Sequence, residues 1–208
     1  MNEHGRTGKP MIVFAGRSNV GKSSTIRALT GKKVRVGKKP GSTRWEVMID
    51  FGPITIVDIP GFGYMAGQSK ITIEETKTNI VQKLESWKED IALAILILDI
   101  SLFRELHERW SARGEIPIDV EFYSFLSEIA SNVIVVANKT DKVKKRALQD
   151  ELGFLETELK EAVPVKAPII VLTSAHKKQG VSKLVALIDG ILDEQGLQRP
   201  KWAITESS

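Results

Sequence analysis

The nine residues from Gly16 to Ser24 have the types and spacing of a loop that binds phosphate. They read Gly-Arg-Ser-Asn-Val-Gly-Lys-Ser-Ser, and the apolar run Met11–Ala15 precedes them, as such a loop requires. The glycines let backbone N–H groups turn inward around an anion, and a helix starting at Lys22 adds its positive end. We expect Lys22 to reach the β- and γ-phosphates of a nucleotide and the Ser23 hydroxyl to bind Mg²⁺. The residues predicted to bind nucleotide here are Gly16, Arg17, Ser18, Asn19, Val20, Gly21, Lys22, Ser23 and Ser24.

A second motif predicts which base is bound. Asn138, Lys139 and Asp141 stand in an Asn-Lys-Thr-Asp tetrad that follows the apolar run Val133–Ala137. A carboxylate at Asp141 accepts hydrogen bonds from guanine N1–H and N2–H₂, whereas adenine offers no matching pair of donors. The Asn138 amide and the Lys139 stem would complete the pocket. A further triplet, Thr173, Ser174 and Ala175, is placed to bring a backbone N–H to guanine O6. The tetrad therefore favours a guanine nucleotide.

Two Gly-Pro-rich segments are candidates for sensing the γ-phosphate. Asp58 is expected to hold Mg²⁺ through water, and the Gly61 N–H to meet the γ-phosphate. Thr43 is a candidate second hydroxyl ligand of Mg²⁺; the alternative is an ordinary turn threonine. The residues assigned to these two nucleotide-binding segments are Gly41, Ser42, Thr43, Asp58, Ile59, Pro60 and Gly61.

No side chain is assigned to catalysis. Phe62 stands where many GTP-hydrolysing proteins have a glutamine that orients the attacking water, so we expect slow intrinsic hydrolysis. His107 and His176 are interpreted as solvated surface residues.

The composition excludes several classes of protein. The chain has 208 residues and no cysteine, so disulfide scaffolds and cysteine-based zinc sites are excluded. Its longest apolar run is Ile91 to Leu98, against about 20 residues for a membrane span. We expect one cytoplasmic domain with no membrane contact.

The positive charge is concentrated in residues 1–50. They carry eleven Lys and Arg against three Asp and Glu, a net of +8, although the whole chain has only +4. Such a surface favours a polyanion, and we expect ribosomal RNA to contact it; the alternative is a merely solvated face. The cations near the first Gly-Pro-rich segment are Lys32, Lys33, Arg35, Lys38 and Lys39.

Apolar runs alternate with helix-period segments, which predicts an α/β fold with a mostly parallel six-stranded sheet and helices on both faces. The Gly52-Pro53 turn predicts a hairpin that adds one antiparallel edge strand. The predicted strands are Met11–Ala15, Trp45–Phe51, Ile54–Ile59, Ile91–Ile100, Val133–Ala137 and Ile169–Leu172.

The sequence also predicts three local features. Thr72 and Glu75 form a capping box for a helix through Trp87, Asp119 caps a helix from Phe122 to Ile129, and Ser101–Pro117 is an elaborated loop.

The sequence resembles the EngB (YihA) family of ribosome-assembly GTPases, a translation-factor-type P-loop group. The motifs that carry the resemblance are the loop from Gly16 to Ser24, Lys39-Pro40-Gly41-Ser42-Thr43 and Asp58-Ile59-Pro60-Gly61-Phe62-Gly63-Tyr64. The resemblance covers about 10–195 as one G domain. It leaves 1–9 and 196–208 as polar tails, expected to be poorly ordered although Trp202 is a candidate to dock.

The resemblance implies Mg²⁺ as cofactor and a role in assembling the large ribosomal subunit, with a link to cell division and septation. Ser23 and Thr43 match the Mg²⁺ ligands of the family, and Asn138, Lys139 and Asp141 match its base-reading motif. The sequence departs from the family at Phe103–Ile118, which is longer than the usual loop.

Asn19 also resembles the asparagine of GTPases that K⁺ stimulates, which makes it a candidate K⁺ ligand. The alternative is that its side chain packs the loop by bonding to its own backbone.

Two functions remain open. One is GTP hydrolysis to GDP and phosphate as a switch in ribosome assembly; the other is a GTP-dependent module that binds RNA or a pre-ribosomal particle with negligible hydrolysis. A membrane-traffic GTPase is disfavoured because no prenylation cysteine exists and Asn2, not glycine, follows Met1. We expect a monomer without DNA specificity.

Overall fold

The computed structural model describes residues 8–32, 47–61 and 70–204. Several sequence predictions lie outside these ranges. They concern Lys33, Arg35, Lys38, Lys39, Gly41, Ser42, Thr43, Trp45, Phe62, Gly63 and Tyr64.

The described elements alternate as the apolar runs predicted. The strands are β1 (Met11–Ala15), β2 (Val47–Phe51), β3 (Ile54–Asp58), β4 (Ile91–Asp99), β5 (Val133–Asn138) and β6 (Ile169–Leu172). The α-helices are α1 (Lys22–Thr30), α2 (Lys70–Ser86), α3 (Phe103–Ser111), α4 (Ile118–Ile129), α5 (Lys145–Ala162) and α6 (Val181–Glu194), with 3₁₀ turns at Lys88–Asp90 and Thr140–Lys142.

The strands form one sheet in the order β2-β3-β1-β4-β5-β6. Every neighbouring pair is parallel except β2 and β3, which form an antiparallel hairpin at the edge. Gly52 in the turn has φ +68°, a conformation that glycine adopts without strain. The predicted sheet and hairpin are confirmed.

Apolar side chains cover the sheet on both faces. One cluster packs α2, α4 and α5 against alternate strand residues and includes the fully buried Trp87. The other packs α1 and α6 against the opposite residues of the same strands, with Phe14 among them. Because side chains alternate along a strand, strands covered on both sides are apolar throughout.

Strand register brings polar residues to one edge. Asp58 pairs with Phe14 at the end of β1, and Asp99 pairs with Asn138 where β4 and β5 end. In such sheets ligands bind at the carboxyl edge, and the loops that follow these strands carry the predicted site.

Three local predictions were wrong. Ser101–Pro117 is not a loop, because it contains α3, whose Phe103 is buried against α5. Helix α4 already begins at Ile118, so Asp119 lies in its first turn rather than at its cap. Helix α2 includes Lys70, so Thr72 does not cap it.

The C-terminal segment up to residue 204 packs on the sheet, where the sequence predicted a poorly ordered tail. The Trp202 indole Nε1 donates to Asp189 Oδ1 at 2.8 Å, and the Trp202 ring lies 5.4 Å from that of Phe51. The Ala203 N–H donates to the Leu29 carbonyl at 2.8 Å. The predicted docking of Trp202 is confirmed.

Candidate functional site

The phosphate loop runs from the end of β1 into α1, and two of its glycines leave no room for a side chain. Gly16 has φ +141°, and a Cβ there would lie 2.2 Å from the Ile97 carbonyl oxygen. Gly21 has φ +106°, and a Cβ there would lie 2.3 Å from Asn138 Nδ2. The loop therefore depends on glycine at both positions.

Lys22 reaches back across this loop. Its Nζ donates to the carbonyls of Gly16 at 2.8 Å and Arg17 at 3.0 Å. Burial lowers the pKa of Lys22 to about 8, while the carboxylates of Asp58 and Asp119 oppose that change. A partly desolvated ammonium held inside an anion-binding loop is suited to phosphate oxygens.

Ser23 and Asp58 offer oxygen ligands beside Lys22. The Ser23 hydroxyl hydrogen-bonds to the Asp58 carboxylate, whose pKa is raised to about 6, chiefly by burial, although Lys22 and Ser23 lower it. Asp58 Oδ1 is buried and has no hydrogen-bond partner among the described residues. An unsatisfied carboxylate oxygen next to a hydroxyl fits Mg²⁺, which prefers such hard ligands.

The segment after β3 touches the phosphate loop. A Cβ on Gly61 would lie 2.7 Å from the backbone N and Cα of Ser18. The buried Ile59 donates its N–H to the Phe14 carbonyl at 3.2 Å. Pro60 lies between them in the sequence, and the segment Asp58–Gly61 therefore approaches the phosphate loop at Ser18.

Asn19 and Ser24 are both exposed residues of the loop. Asn19 is exposed with φ +65°, and its side chain has no hydrogen-bond partner among the described residues. Ser24 lines the adjoining cleft, and Val20 is buried.

This cleft, of about 310 Å³, brings the base-reading motif next to the phosphate loop. Its lining residues are Gly21, Ser24, Asn138, Lys139, Asp141, Lys142, Ala175 and His176.

Asp141 presents an exposed carboxylate in the cleft. The Ser174 hydroxyl donates to Asp141 Oδ1 at 2.5 Å. That hydrogen bond, aided by the charge of Lys177, holds the pKa of Asp141 below its ordinary value. Asp141 is therefore ionised at neutral pH and suited to accept hydrogen bonds from N–H donors of a base.

Asn138 does not point its amide freely into the cleft. It is buried, and its Oδ1 accepts hydrogen bonds from Thr173 Oγ1 at 3.1 Å and from the Ala175 N–H at 3.0 Å. The sequence predicted that the triplet Thr173, Ser174 and Ala175 offers a backbone N–H to guanine O6; the Ala175 N–H is bonded to Asn138 in this structure.

Two buried aspartates that support the site were missed. Asp99 accepts from Lys139 Nζ at 2.7 Å and from the Ser101 hydroxyl at 2.6 Å, which fixes the Lys139 stem. Its signal in the sequence is its position at the end of the apolar run of β4. Asp119 lies 3.8 Å from Arg17 Nη1, a pairing across the fold that no local pattern indicates.

His107 is not a solvated surface residue. Its Nε2 lies 2.8 Å from Glu158 Oε2, and its ring packs on Phe103 and Phe154. His176 is exposed at the cleft, as its sequence position suggested.

Comparison with known proteins identifies close relatives. Residues 11–139 match a protein family described as 50S ribosome-binding GTPase. A Pyrococcus horikoshii protein described as "Probable GTP-binding protein EngB" is 48% identical over 162 residues, covering 76% of this chain and 74% of that protein. A Pyrococcus abyssi protein with the same description is 43% identical over 188 residues, covering 90% and 88%.

Solved structures also include proteins with a similar fold and sequence. The crystal structure described as that of a probable GTP-binding protein engB has a TM-score of 0.78 and 41% identity, covering 88% of this chain and 99% of that one. Bacterial elongation factor EF-Sec, at 22% identity and a TM-score of 0.62, shares the fold.

Within the described residues, no helix is long and apolar enough to cross a membrane.

Proposed function

The chain belongs to the EngB family of GTP-binding proteins, as its motifs predicted, and we propose that it hydrolyses GTP to GDP and phosphate as a switch in assembly of the large ribosomal subunit. The proposal extends to a link with cell division, a cytoplasmic location and a monomeric state, as the resemblance and composition implied.

The observation that carries this proposal is the continuity of the phosphate loop with the base cleft. Gly21 belongs to both, since it stands beside Lys22 in the loop and lines the cleft that contains Asp141. We infer that Lys22 binds the β- and γ-phosphates at one end and Asp141 binds the guanine edge at the other. The Ser174 hydroxyl holds the Asp141 carboxylate in place.

Mg²⁺ belongs to this proposal as cofactor, and it would neutralise phosphate charge when bound. Ser23 would bind it directly and Asp58 through water, which the buried and unsatisfied Asp58 Oδ1 supports. Thr43 remains the proposed second hydroxyl ligand.

K⁺ is a proposed further cation at Asn19. The Asn19 amide is exposed and makes no hydrogen bond to the described residues, so its oxygen is available to a cation. An asparagine also tolerates positive φ better than most residues, so the backbone alone gives a reason for its presence.

A second candidate function follows from Phe62. Phe62 follows Gly61 in the sequence and has an aromatic side chain in place of an amide. Without a group that orients water, hydrolysis would be slow, and the protein would act as a GTP-dependent module that binds RNA or a pre-ribosomal particle.

The test is a pull-down of large-subunit precursors in GTP and in GDP, with RNase controls. Retention that depends on the nucleotide supports the switch, and equal retention in both contradicts it. Phosphate release over many turnovers, with and without the precursor, separates the switch from the binding module.

A further inference from the structure

Six exposed cations lie beside the base cleft, on two loops and on the first turn of α5. The loop after β5 leads into α5, and the loop after β6 leads into α6. The two are held together, because the Thr140 N–H donates to the Thr173 carbonyl at 3.1 Å and the Ser174 hydroxyl donates to Asp141. We call the cations the basic rim; its members are Lys142, Lys144, Lys145, Arg146, Lys177 and Lys178.

The cations of the basic rim outnumber the carboxylates of the two segments that carry them. None of its cations forms an ion pair with a carboxylate of the described residues, whereas Arg104, Arg109 and Arg199 are paired elsewhere on the surface. Asp141 is the single acidic residue in 139–149, and 173–183 contain none. The positive charge of the rim therefore faces solvent.

Three of the cations lie at the N-terminus of α5, where positive charge is unfavourable. Lys144 is the N-cap of α5 without a side-chain cap hydrogen bond, and Lys145 and Arg146 follow in a first turn that has no acidic residue. Helix α6 likewise begins without an acidic residue, after Gly180. Since a helix N-terminus is itself positive, lysines there are repelled unless an anion is bound.

We propose that the basic rim binds the phosphodiester backbone of RNA, an inference that rests on the proposed ribosomal role. The exposed large apolar side chains of the described residues are Leu102, Ile116 and Val165, and none lies on either loop. The rim thus lacks the apolar core of a protein interface and the apolar face that enters a bilayer. Lysine-rich loops without aromatic residues suit phosphate contacts that are independent of base sequence.

The rim adjoins the base cleft. Lys142 belongs to the rim and also lines the base cleft, next to His176. RNA bound here would lie at the mouth of the cleft. The test therefore leaves Lys142 unchanged, so that nucleotide binding is preserved.

The experiment compares two variants of the full chain that have equal charge. The rim variant combines Lys144→Gln, Lys145→Gln, Arg146→Gln and Lys178→Gln, and it leaves Lys177 unchanged because the charge of Lys177 acts on Asp141. The control variant changes three lysines and one arginine that are exposed elsewhere, with the list Lys88→Gln, Arg113→Gln, Lys160→Gln and Lys201→Gln. Each set lowers the net charge from +4 by four, to zero.

The probe is a fluorescent RNA duplex of arbitrary sequence, titrated with GDP-bound protein at several salt concentrations. We expect the rim variant to lose about tenfold or more in affinity, with a shallower salt dependence, and the control variant to lose less than about twofold. Equal losses in both variants would overturn the proposal, because net charge alone would then explain binding.

Two further measurements make the outcome specific. Binding of phosphatidylglycerol vesicles that falls in the rim variant, without RNA binding, would also overturn the proposal in favour of a membrane surface. Unchanged GDP affinity and thermal stability show that the rim variant is folded; if they fall, the single changes Lys144→Gln and Lys178→Gln replace it. RNA binding through the rim by a protein that retains no large-subunit precursor would contradict the ribosomal role and leave the rim assignment standing.

Discussion

The side-chain amide of Asn138 donates to the main-chain carbonyl of Val20 at 2.8 Å and ties the loop after β5 to the phosphate loop. Its oxygen holds Thr173 and Ala175 at the same time. Asn138 is 2% exposed, so these bonds form away from water, where an unpaired polar group is costly. One side chain therefore positions three loops, and the shape of the base cleft depends on it.

Replacing Asn138 should loosen all three loops together. We expect Asn138→Ala to lower the free energy of unfolding by about 2–4 kcal/mol, because buried partners are left unpaired. GDP affinity should fall as well. Urea denaturation and nucleotide titration measure these effects. The control is Asn79→Ala at an exposed position of α2, where we expect a change within about 0.5 kcal/mol. Equal stability of the two variants would show that the Asn138 bonds contribute little.

Asp141 should determine the base. We expect Asp141→Asn to weaken GTP binding by about a hundredfold or more and to improve binding of xanthosine triphosphate, because an amide donates where the carboxylate accepts. Competition of both nucleotides against fluorescent GDP measures the switch. Ser174→Ala removes the Asp141 hydrogen bond but keeps the carboxylate, so this variant should retain the preference for guanine. Tight ATP binding by the unaltered protein would contradict the assignment.

The strands were predictable because each contains a run of mostly apolar residues. Strand β4, with nine buried residues, is recognisable from composition alone. Helix α3 was missed because charged residues dominate it, yet Phe103, Leu106, His107 and Trp110 follow a helical period. Counting His107 as apolar, which its packing on Phe154 justifies, would have revealed this helix.

The site was predictable where a motif is contiguous. The loop from Gly16 to Ser24 and the tetrad ending at Asp141 are local sequences that fold into local shapes. Asp119 is different, because its role depends on Arg17, which is distant in the chain. Only the packing of α4 beside the phosphate loop brings them together, and a single sequence contains no signal of that packing.

Gly61 should be indispensable for the response to the γ-phosphate. A methyl group there would lie 2.7 Å from the Ser18 backbone, so one of the two segments must shift. We expect Gly61→Ala to weaken GTP binding by about tenfold, the equivalent of about 1.4 kcal/mol, with a smaller effect on GDP. Calorimetric titration of both nucleotides measures the difference. Gly153→Ala in α5 is the control, since a Cβ there meets nothing within 4 Å and should stabilise the helix. Equal weakening of GTP and GDP would contradict a specific role at the γ-phosphate.

Asp119 should make stability depend on pH. Burial raises the pKa of its carboxyl from 3.8 to about 6, although Arg17 and Lys22 lower it. The native state then holds more protons than the unfolded state between about pH 4 and 6, so its contribution to stability falls as pH rises through that window. In Asp119→Asn this decline is absent. From acidic to neutral pH, we therefore expect the free energy of unfolding of Asp119→Asn to rise by about 2 kcal/mol relative to that of the unaltered protein. Urea denaturation at both pH values measures it, and identical pH profiles would show that Asp119 does not titrate in this window.

The last prediction concerns Asn19, whose exposed amide lies on the phosphate loop at φ +65°. If this amide binds K⁺ beside the phosphates, GTP turnover should be faster in KCl than in NaCl at equal ionic strength, since a fixed cation offsets charge in the transition state. Asn19→Gly should abolish that difference while it keeps the left-handed backbone, which glycine adopts freely. Asn19→Ala removes the same amide but strains the loop, so the two variants separate ligation from backbone conformation. Loss of K⁺ stimulation in both variants supports a ligand role. Stimulation that survives in Asn19→Gly would mean that asparagine is present for its backbone. Equal turnover of the unaltered protein in both salts would exclude the K⁺ site and make a bound partner the source of catalysis.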